Sequence, residues 1–300
     1  MPKVAFLFPG QGAQVVGMAV GLASDPHVGE LFYFASQILG YDLLSVCASG
    51  PKERLDSTAV SQPAIYVASL AALKSLEQTE PEASAECVAT AGLSLGEYTA
   101  LTFAGALKFE DGLRLVRKRG EAMQAAADAR AGGMVSILLL DLPQVEAIVA
   151  RASEFGLVRI ANYLCPGNLV VSGDKAACDE AQRLAEEAGA KTIPLPVAGA
   201  FHTPLMQPAV EALTKALATT PIVAPRVPVW ANVTARPYAE ASEIPTSLAR
   251  QVVEPVLWEQ TLRGMLEAGV ERFYEIGPGK VLTGLLKRIH RKGDYRNVHA

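Results

Sequence analysis

The 300-residue sequence has no excess of basic residues and few cysteines. Its 27 lysines and arginines are outnumbered by 31 aspartates and glutamates, which gives a net charge of −4. Because a nucleic-acid-binding surface needs a basic excess, we expect no nucleic-acid partner. The four cysteines form no C-x-x-C pair and show no regular spacing. They predict neither a metal site nor a disulfide framework, and no cofactor is predicted.

Long apolar runs are also missing. No stretch approaches the roughly 20 apolar residues that span a bilayer, so we expect no membrane-spanning segment. Residues 1–6 (MPKVAF) lead directly into a predicted strand, and no targeting segment is expected there. Since half of the residues are hydrophobic, the chain is able to bury a full core.

Nucleotide-binding motifs are incomplete or absent. Gly10-Gln11-Gly12 follows the first predicted strand, but a dinucleotide fingerprint would need a third glycine where Val15 stands. No Walker sequence occurs in the chain. The glycine loop is therefore either an oxyanion loop, whose backbone N–H groups bind a developing negative charge, or a plain strand-to-helix turn.

The apolar pattern predicts an α/β fold. Strands are predicted at 4–8, 86–91, 227–231 and 271–276, separated by helical stretches rich in alanine and leucine. This alternation is typical of a parallel sheet covered by helices. We predict an α/β-hydrolase-like large subdomain with a parallel sheet, made of residues 1–130 and 198–300.

A small subdomain is predicted between the two parts, at residues 131–197. Its strands are expected at 134–140, 157–162, 169–172 and 190–196, and its helices at 142–155 and 174–188. The resulting βαββαβ order is that of a ferredoxin-like fold.

Ser94 is the first candidate catalytic residue. It lies in Gly92-Leu93-Ser94-Leu95-Gly96, between a predicted strand and a predicted helix. A sharp turn of this kind exposes a serine hydroxyl, and the N–H of the following residue, Leu95, faces a developing oxyanion. The motif predicts either a nucleophile or an ordinary glycine-rich turn.

His202 is the candidate base for Ser94. The sequence contains only four histidines, and His27, His290 and His299 lie in polar or terminal segments that suggest solvent exposure. His202 follows small residues where the chain returns from the small subdomain to the large one. The alternative is a histidine that caps the helix beginning near Pro204.

Arg119 interrupts the apolar face of a predicted helix at 112–127. At 100° per residue it falls within the stripe formed by Leu115, Val116, Met123 and Ala126. An arginine that faces a core is costly unless a carboxylate pairs with it. That carboxylate belongs either to an internal Asp or Glu or to a substrate.

Seven motifs carry a family resemblance. They are Gly10-Gln11-Gly12-Ala13-Gln14, Ser61-Gln62-Pro63, Gly92-Leu93-Ser94-Leu95-Gly96-Glu97, Arg119-Gly120, Asn162, Phe201-His202-Thr203 and Glu275-Ile276-Gly277-Pro278-Gly279-Lys280. In order and spacing they resemble the malonyl-CoA:acyl carrier protein transacylases, and the resemblance covers nearly the whole chain. It implies an acyltransferase that moves malonyl from malonyl-CoA to the phosphopantetheine thiol of acyl carrier protein. The implied route is a ping-pong reaction through a malonyl-serine intermediate, which supplies fatty acid synthesis.

The resemblance also implies a role for each matching residue. Ser94 corresponds to the nucleophile, His202 to its base and later acid, and Arg119 to the arginine that binds the malonyl carboxylate. The remaining residues with implied roles are Gln11 and Leu95 in the oxyanion hole, Asn162 in the pocket, and Gln251, whose backbone carbonyl orients the histidine. The family therefore uses a dyad with no triad carboxylate.

One position departs from the family pattern. The residue before the nucleophile is usually histidine, and here it is Leu93. With that leucine, and with the segments 161–167 (ANYLCPG) and 124–128 (QAAAD), the sequence most resembles plastid enzymes of plants and algae, which implies the plastid stroma. The alternative location is the cytoplasm of a bacterium.

Basic residues are clustered near the C-terminus. The cluster consists of Lys287, Arg288, Arg291, Lys292 and Arg296. It either binds the acidic carrier protein or is a solvated helix end.

Two alternative functions are compatible with the sequence. They are a serine hydrolase, such as a thioesterase, and a binding module without activity.

Overall fold

Ten strands and thirteen α-helices form the regular structure of residues 2–23, 25–197 and 199–300, the part of the chain that the computed structural model describes. The strands are β1 (Val4–Phe8), β2 (Cys87–Gly92), β3 (Gly132–Leu138), β4 (Val158–Cys165), β5 (Asn168–Asp174), β6 (Lys191–Pro194), β7 (Val229–Ala231), β8 (Arg236–Pro237), β9 (Arg272–Ile276) and β10 (Asp294–Val298).

The helices connect these strands along the chain. They are α1 (Pro26–Leu39), α2 (Leu43–Ser49), α3 (Lys52–Asp56), α4 (Thr58–Thr79), α5 (Pro81–Ala85), α6 (Gly96–Phe103), α7 (Phe109–Ala129), α8 (Leu142–Ala152), α9 (Lys175–Glu187), α10 (Gln207–Leu217), α11 (Glu243–Gln251), α12 (Trp258–Glu267) and α13 (Val281–Ile289). Short 3-10 helices occupy Ser153–Phe155 and Pro204–Met206.

A six-stranded sheet forms the centre of the larger unit, in the order β10-β9-β1-β2-β7-β8. All neighbouring strands are parallel except β7 and β8. In β1, Val4, Phe6 and Phe8 enter one core cluster while Ala5 and Leu7 enter another. Both faces of the sheet are therefore buried, as in α/β proteins generally.

The four strands predicted for this sheet are present, with ends shifted by at most two residues. Strands β8 and β10 were not expected. β8 has only two residues, and β10 (DYRNV) carries charged side chains at a sheet edge. Charged edge strands lack the apolar pattern by which buried strands are recognised.

A four-stranded antiparallel sheet forms the smaller unit, in the order β4-β5-β3-β6. The chain passes through it as βαββαβ, and helices α8 and α9 share its separate apolar core. The predicted fold class, an α/β body with an inserted ferredoxin-like unit, is confirmed. The exact boundaries at 131–197 stay a prediction, and Met1 and Ala198, which bound predicted segments, lie outside the described residues.

The small sheet is joined to the larger unit next to the predicted pocket residue. Asn162 of β4 forms a parallel bridge with Val256 of the larger unit. The N–H of Tyr163 donates to the Val256 carbonyl at 2.9 Å, and the N–H of Val256 donates to the Ala161 carbonyl at 2.9 Å. This backbone pairing holds β4 against the segment that follows α11.

Helix α7 packs against α4 and carries Arg119 into the core. The predicted apolar stripe is confirmed, because its four residues are all buried on one side of α7. Arg119 lies among them and is 1% exposed. The helix therefore brings a positive charge into the interior, where it needs polar partners.

No single helix among the described residues is both long and apolar enough to cross a membrane. The bent pair α1 and α2, which meet at 111°, passes such a test together by length and composition alone. The apolar faces of both helices belong to the main core cluster.

The close packing of the turn between β2 and α6 predicts that a side chain at Gly92 destabilises the protein. A Cβ atom on Gly92 would lie 1.8 Å from the backbone carbon of Gly96, so we expect Gly92→Ala to lower the free energy of unfolding by about 2 kcal/mol or more. Gly284→Ala in α13 is the control, because nothing lies near its Cβ position and alanine favours helix by about 0.5–1 kcal/mol. Urea denaturation measures both variants. Equal stability of Gly92→Ala and the unchanged protein would contradict this account of the turn.

Candidate active site

Ser94 lies on a tight turn at the carboxyl end of β2. Its φ of 52° is in the left-handed region that non-glycine residues rarely adopt. The turn packs directly on β1, because a Cβ atom on Gly96 would lie 2.2 Å from the Phe8 carbonyl oxygen. Only glycines permit this approach, so the predicted strand–turn–helix geometry is present around the serine.

His202 contacts the serine directly. Its Nε2 lies 2.9 Å from Ser94 Oγ, and its Nδ1 lies 2.7 Å from the main-chain carbonyl oxygen of Gln251. Because a carbonyl only accepts, Nδ1 carries the proton and the Nε2 lone pair faces the serine hydroxyl. Thr203, not His202, caps the following 3-10 helix, so the alternative of a capping histidine is wrong.

The imidazole of His202 is held neutral. Burial, and after it the charge of Arg119, lower its pKa to about 4. A neutral imidazole with its lone pair on the serine hydroxyl is able to accept the serine proton at neutral pH.

Arg119 reaches the same serine from α7. Its Nη2 donates to Ser94 Oγ at 2.9 Å and to the side-chain oxygen of Gln251 at 3.0 Å, and its Nη1 donates to the side-chain oxygen of Gln62 at 2.9 Å. Its Nε has no partner among the described residues. All three acceptors are neutral oxygens.

No aspartate or glutamate in the described part of the chain forms an ion pair with Arg119. The alternative that Arg119 forms a direct ion pair with an internal Asp or Glu is therefore wrong. Burial lowers the pKa of the guanidinium, because the charge is poorly solvated in the interior. The site thus contains a buried cation beside Ser94, and among the described residues its Nε has no hydrogen-bond acceptor.

Two backbone N–H groups near the serine are free. Among the described residues, neither the N–H of Gln11 nor that of Leu95 donates to a protein acceptor. The two loops are in contact, because a Cβ on Gly10 would lie 2.3 Å from the carbonyl oxygen of Leu93. Unpaired N–H groups on adjoining loops are what an oxyanion hole requires.

Asn162 is placed differently from the other predicted site residues. It lies on β4, and its Oδ1 is buried without a hydrogen-bond partner in the described part of the chain. Ser94, His202, Arg119 and Gln251 are joined in one hydrogen-bonded network. Asn162 does not share a hydrogen bond with them.

Comparison with known proteins identifies the family. The model of the acyl transferase domain matches residues 5–298. The chain belongs to the acyl transferase family. It is 44% identical over 299 residues to a Drosophila melanogaster protein named "probable malonyl-CoA-acyl carrier protein transacylase, mitochondrial", covering 95% of this chain and 79% of that protein.

Solved structures of acyl transferases agree with this assignment. The malonyl CoA-acyl carrier protein transacylase of Coxiella burnetii matches with a TM-score of 0.95 and 40% identity, over 99% of this chain and 94% of that one. A malonyl-transacylase solved in complex with a type II polyketide acyl-carrier protein matches with a TM-score of 0.92 and 37% identity, over 98% and 94% of the two chains. The resemblance predicted from the motifs is confirmed.

Three site residues of this acyl transferase were not predicted: Gln62, Glu97 and Asn232. Gln62 accepts from Arg119, Asn232 Oδ1 accepts from the Ser94 N–H at 2.6 Å, and Glu97 accepts from Gln251 Nε2 at 2.6 Å. Asn232 carried one usable signal, since it directly follows β7 at the edge where ligands of parallel sheets bind. Gln62 and Glu97 each lie within a motif of the family resemblance, but nothing in the sequence identifies their hydrogen-bond partners.

The basic cluster at the C-terminus is less uniform than expected. Arg296 lies on β10 and pairs with Glu80 and Asp294, so its place in a free basic surface is wrong. Arg288 donates to the carbonyls of Pro166 and Gly167 in the turn between β4 and β5. The other three members, Lys287, Arg291 and Lys292, are exposed.

Leu93 occupies the position where histidine was expected from the family pattern. Its side chain is half-buried and packs against the second core cluster. In this acyl transferase the position therefore makes an apolar contact between the serine turn and the core.

Proposed function

We propose that this protein transfers the malonyl group from malonyl-CoA to the phosphopantetheine thiol of acyl carrier protein, and so supplies fatty acid synthesis. The observation that carries the proposal is the buried guanidinium of Arg119, 2.9 Å from Ser94 Oγ and without a direct carboxylate partner among the described residues. An acyl group that carries its own carboxylate completes the bonding of this cation. The names of the relatives support the same substrate and the same acceptor.

The first half-reaction acylates the serine. His202 Nε2 takes the proton from Ser94 Oγ as the oxygen attacks the thioester carbonyl, and the N–H groups of Gln11 and Leu95 bind the oxyanion. The carbon–sulfur bond then breaks, and the leaving sulfur of CoA takes the proton from His202. The product is a malonyl ester on Ser94.

The second half-reaction repeats the steps with a different thiol. His202 takes the proton of the phosphopantetheine thiol, whose sulfur attacks the malonyl-serine ester. When the ester bond breaks, His202 returns the proton to Ser94 Oγ. Arg119 holds the malonyl carboxylate in both halves, and the family resemblance assigns Asn162 of the small sheet to the acyl pocket.

The rival function of a serine hydrolase has less support from the site. His202 is oriented by the main-chain carbonyl of Gln251 rather than by a carboxylate, and a simple esterase has no use for the buried charge of Arg119. A binding module without activity would have no need of the 2.9 Å contact between His202 and Ser94.

Mass spectrometry of the intact protein tests the proposed function. Incubation with malonyl-CoA should add the mass of one malonyl group, and addition of holo-carrier protein should remove it and produce malonyl-carrier protein. Ser94→Ala should gain no mass, whereas the control Ser172→Ala, a buried serine of the small sheet, should behave like the unchanged protein. A mass that does not change with malonyl-CoA would exclude the covalent step.

Carrier protein is proposed to dock at the exposed part of the basic cluster. Acyl carrier proteins are acidic, and Lys287 and Arg291 are exposed at and beyond the end of α13. Arg288 also holds the turn between β4 and β5, so it is a poorer choice for charge reversal.

Reversal of two exposed charges tests the docking surface. Lys287→Glu with Arg291→Glu should raise the KM for carrier protein by about fivefold or more, because complementary charge is replaced by repulsion. The KM for malonyl-CoA should stay within about twofold, and Lys215→Glu on α10 is the control for a general charge effect. An unchanged KM for carrier protein rules this surface out.

The cellular location of the protein is proposed from family resemblance alone. The relatives named above include a mitochondrial protein and a protein of Coxiella burnetii, so similarity within the family spans more than one compartment. The plastid stroma stays a prediction from the motifs alone, with the bacterial cytoplasm as its alternative.

A further inference from the structure

Glu97 is a buried carboxylate, three residues after Ser94, that has no part in the mechanism above. It is 1% exposed. Its Oε2 accepts from the backbone N–H of Asn232 at 3.1 Å and from Nε2 of Gln251 at 2.6 Å, and its Oε1 accepts from the hydroxyl of Tyr238. Three donors converge on this one group and fix its orientation.

Two of the three donors hold the serine turn from opposite sides. Asn232 Oδ1 accepts from the Ser94 N–H at 2.6 Å, and Gln251 Nε2 donates to the Ser94 carbonyl at 2.9 Å. Both peptide groups of a residue with φ of 52° are thereby fixed. Strained backbone at an active site persists only when the surrounding contacts determine it in this way.

Glu97 also helps to hold the orientation of the Gln251 amide, together with the Ser94 carbonyl and Arg119. An ionised carboxylate only accepts, so the NH₂ end of the amide faces Glu97 and the oxygen end faces Arg119 Nη2, 3.0 Å away. If the amide were reversed, two donors would face each other at Arg119. Glu97 therefore strengthens the arrangement in which the Gln251 oxygen accepts from Arg119 beside the serine.

Glu97 is the group in this network that changes charge near neutral pH. Burial raises its pKa to about 7, against the opposing effects of Tyr238, Asn232, Gln251 and Arg119. Of the other titratable groups around it in the described structure, Tyr98 and Tyr238 have raised pKa values, Arg119 stays cationic, and the pKa of His202 is about 4. Protonation of Glu97 replaces charge-assisted hydrogen bonds with neutral ones of roughly half the strength.

We propose that Glu97 is a positioning residue for acyl transfer: its carboxylate fixes Asn232 and Gln251, and through them the Ser94 turn and Arg119. The inference rests on the function proposed above. It assigns to this chain a carboxylate that supports the Ser94 turn and Arg119 without touching the side chain of either, through Asn232 and Gln251.

Glu97→Gln is the direct test. The variant keeps one oxygen for Asn232 and Gln251 and an NH₂ group for Tyr238, so it preserves shape and removes charge. We expect kcat/KM for malonyl transfer to fall by about tenfold at pH 8, because two charge-assisted bonds become neutral. We also expect the acid limb near pH 7 in the pH profile of the unchanged protein to disappear, which leaves only the lower limb of His202.

The stability of this variant separates positioning from a structural role. Because folding raises the pKa of Glu97 from 4.5 to about 7, its contribution to the free energy of unfolding falls as the pH rises through that range and stays at the lower value above pH 7. Glu97→Gln should therefore have a melting temperature at pH 8 no lower than that of the unchanged protein, while its activity falls. If Glu97 had only a structural role, Glu97→Gln would lower the melting temperature and leave the activity of the folded protein unchanged.

Tyr238→Phe provides a second variant in case Glu97→Gln does not fold. The Tyr238 hydroxyl donates to Glu97 Oε1 and lowers the pKa of Glu97. Removal of that hydroxyl should move the acid limb to higher pH. A limb that stays in place contradicts the assignment of the limb to Glu97.

Glu275→Gln is the matched control. Glu275 is also 1% exposed and accepts from the N–H groups of Leu282 and Thr283, at the start of α13. The control should lower the melting temperature and leave the acid limb unchanged.

The outcomes distinguish the inference from the proposed function. If malonyl-CoA does not acylate the unchanged protein, the proposed function fails. If the unchanged protein is acylated but shows no acid limb near pH 7, or if Glu97→Gln keeps both the rate and the limb, the positioning role of Glu97 is overturned.

Discussion

The burial of Arg119 beside Ser94 is the constraint on which the site depends. A guanidinium in the interior is unfavourable unless its charge is compensated, and here its three acceptors are oxygens of Gln62, Gln251 and Ser94. The same charge acts on His202, where it adds to burial in lowering the pKa of the imidazole. One buried cation thus creates a site for an anionic acyl group and helps to keep the base neutral.

The fold brings these groups together from four distant segments. Ser94 stands after β2, Arg119 lies in α7, His202 follows the small sheet, and Gln251 ends α11. The turn at Ser94 forms only because the backbone approaches Phe8 at Gly96 without a side chain between them. Backbone pairing between β4 and Val256 then holds the small sheet beside this edge of the large one.

Much of this arrangement was predictable from local patterns, and the rest was not. Buried strands are recognised by apolar runs, and for this reason both ends of β1 were predicted correctly. The charged edge strand β10 has no such pattern. The position of Arg119 on an apolar helix face was visible from periodicity alone.

Contacts between distant residues required more than pattern. His202 emerged by elimination among four histidines, and Gln251 was reached only through family resemblance. Glu97 and Asn232 lie 135 residues apart in the sequence, and nothing local to either identifies the other as its partner. A polar residue becomes part of a site through tertiary contacts, and those are set by the packing of the whole chain.

The central claim, that the unpaired charge of Arg119 selects an acyl group with its own carboxylate, is tested most directly by competition. Malonyl-CoA and acetyl-CoA are supplied together, and the two acyl-carrier products are measured for the unchanged protein and for Arg119→Ala. The account predicts a strong malonyl preference that falls by about 100-fold in the variant, since loss of one partner of a buried charge pair costs about 2–5 kcal/mol. The same product ratio in both proteins would contradict it.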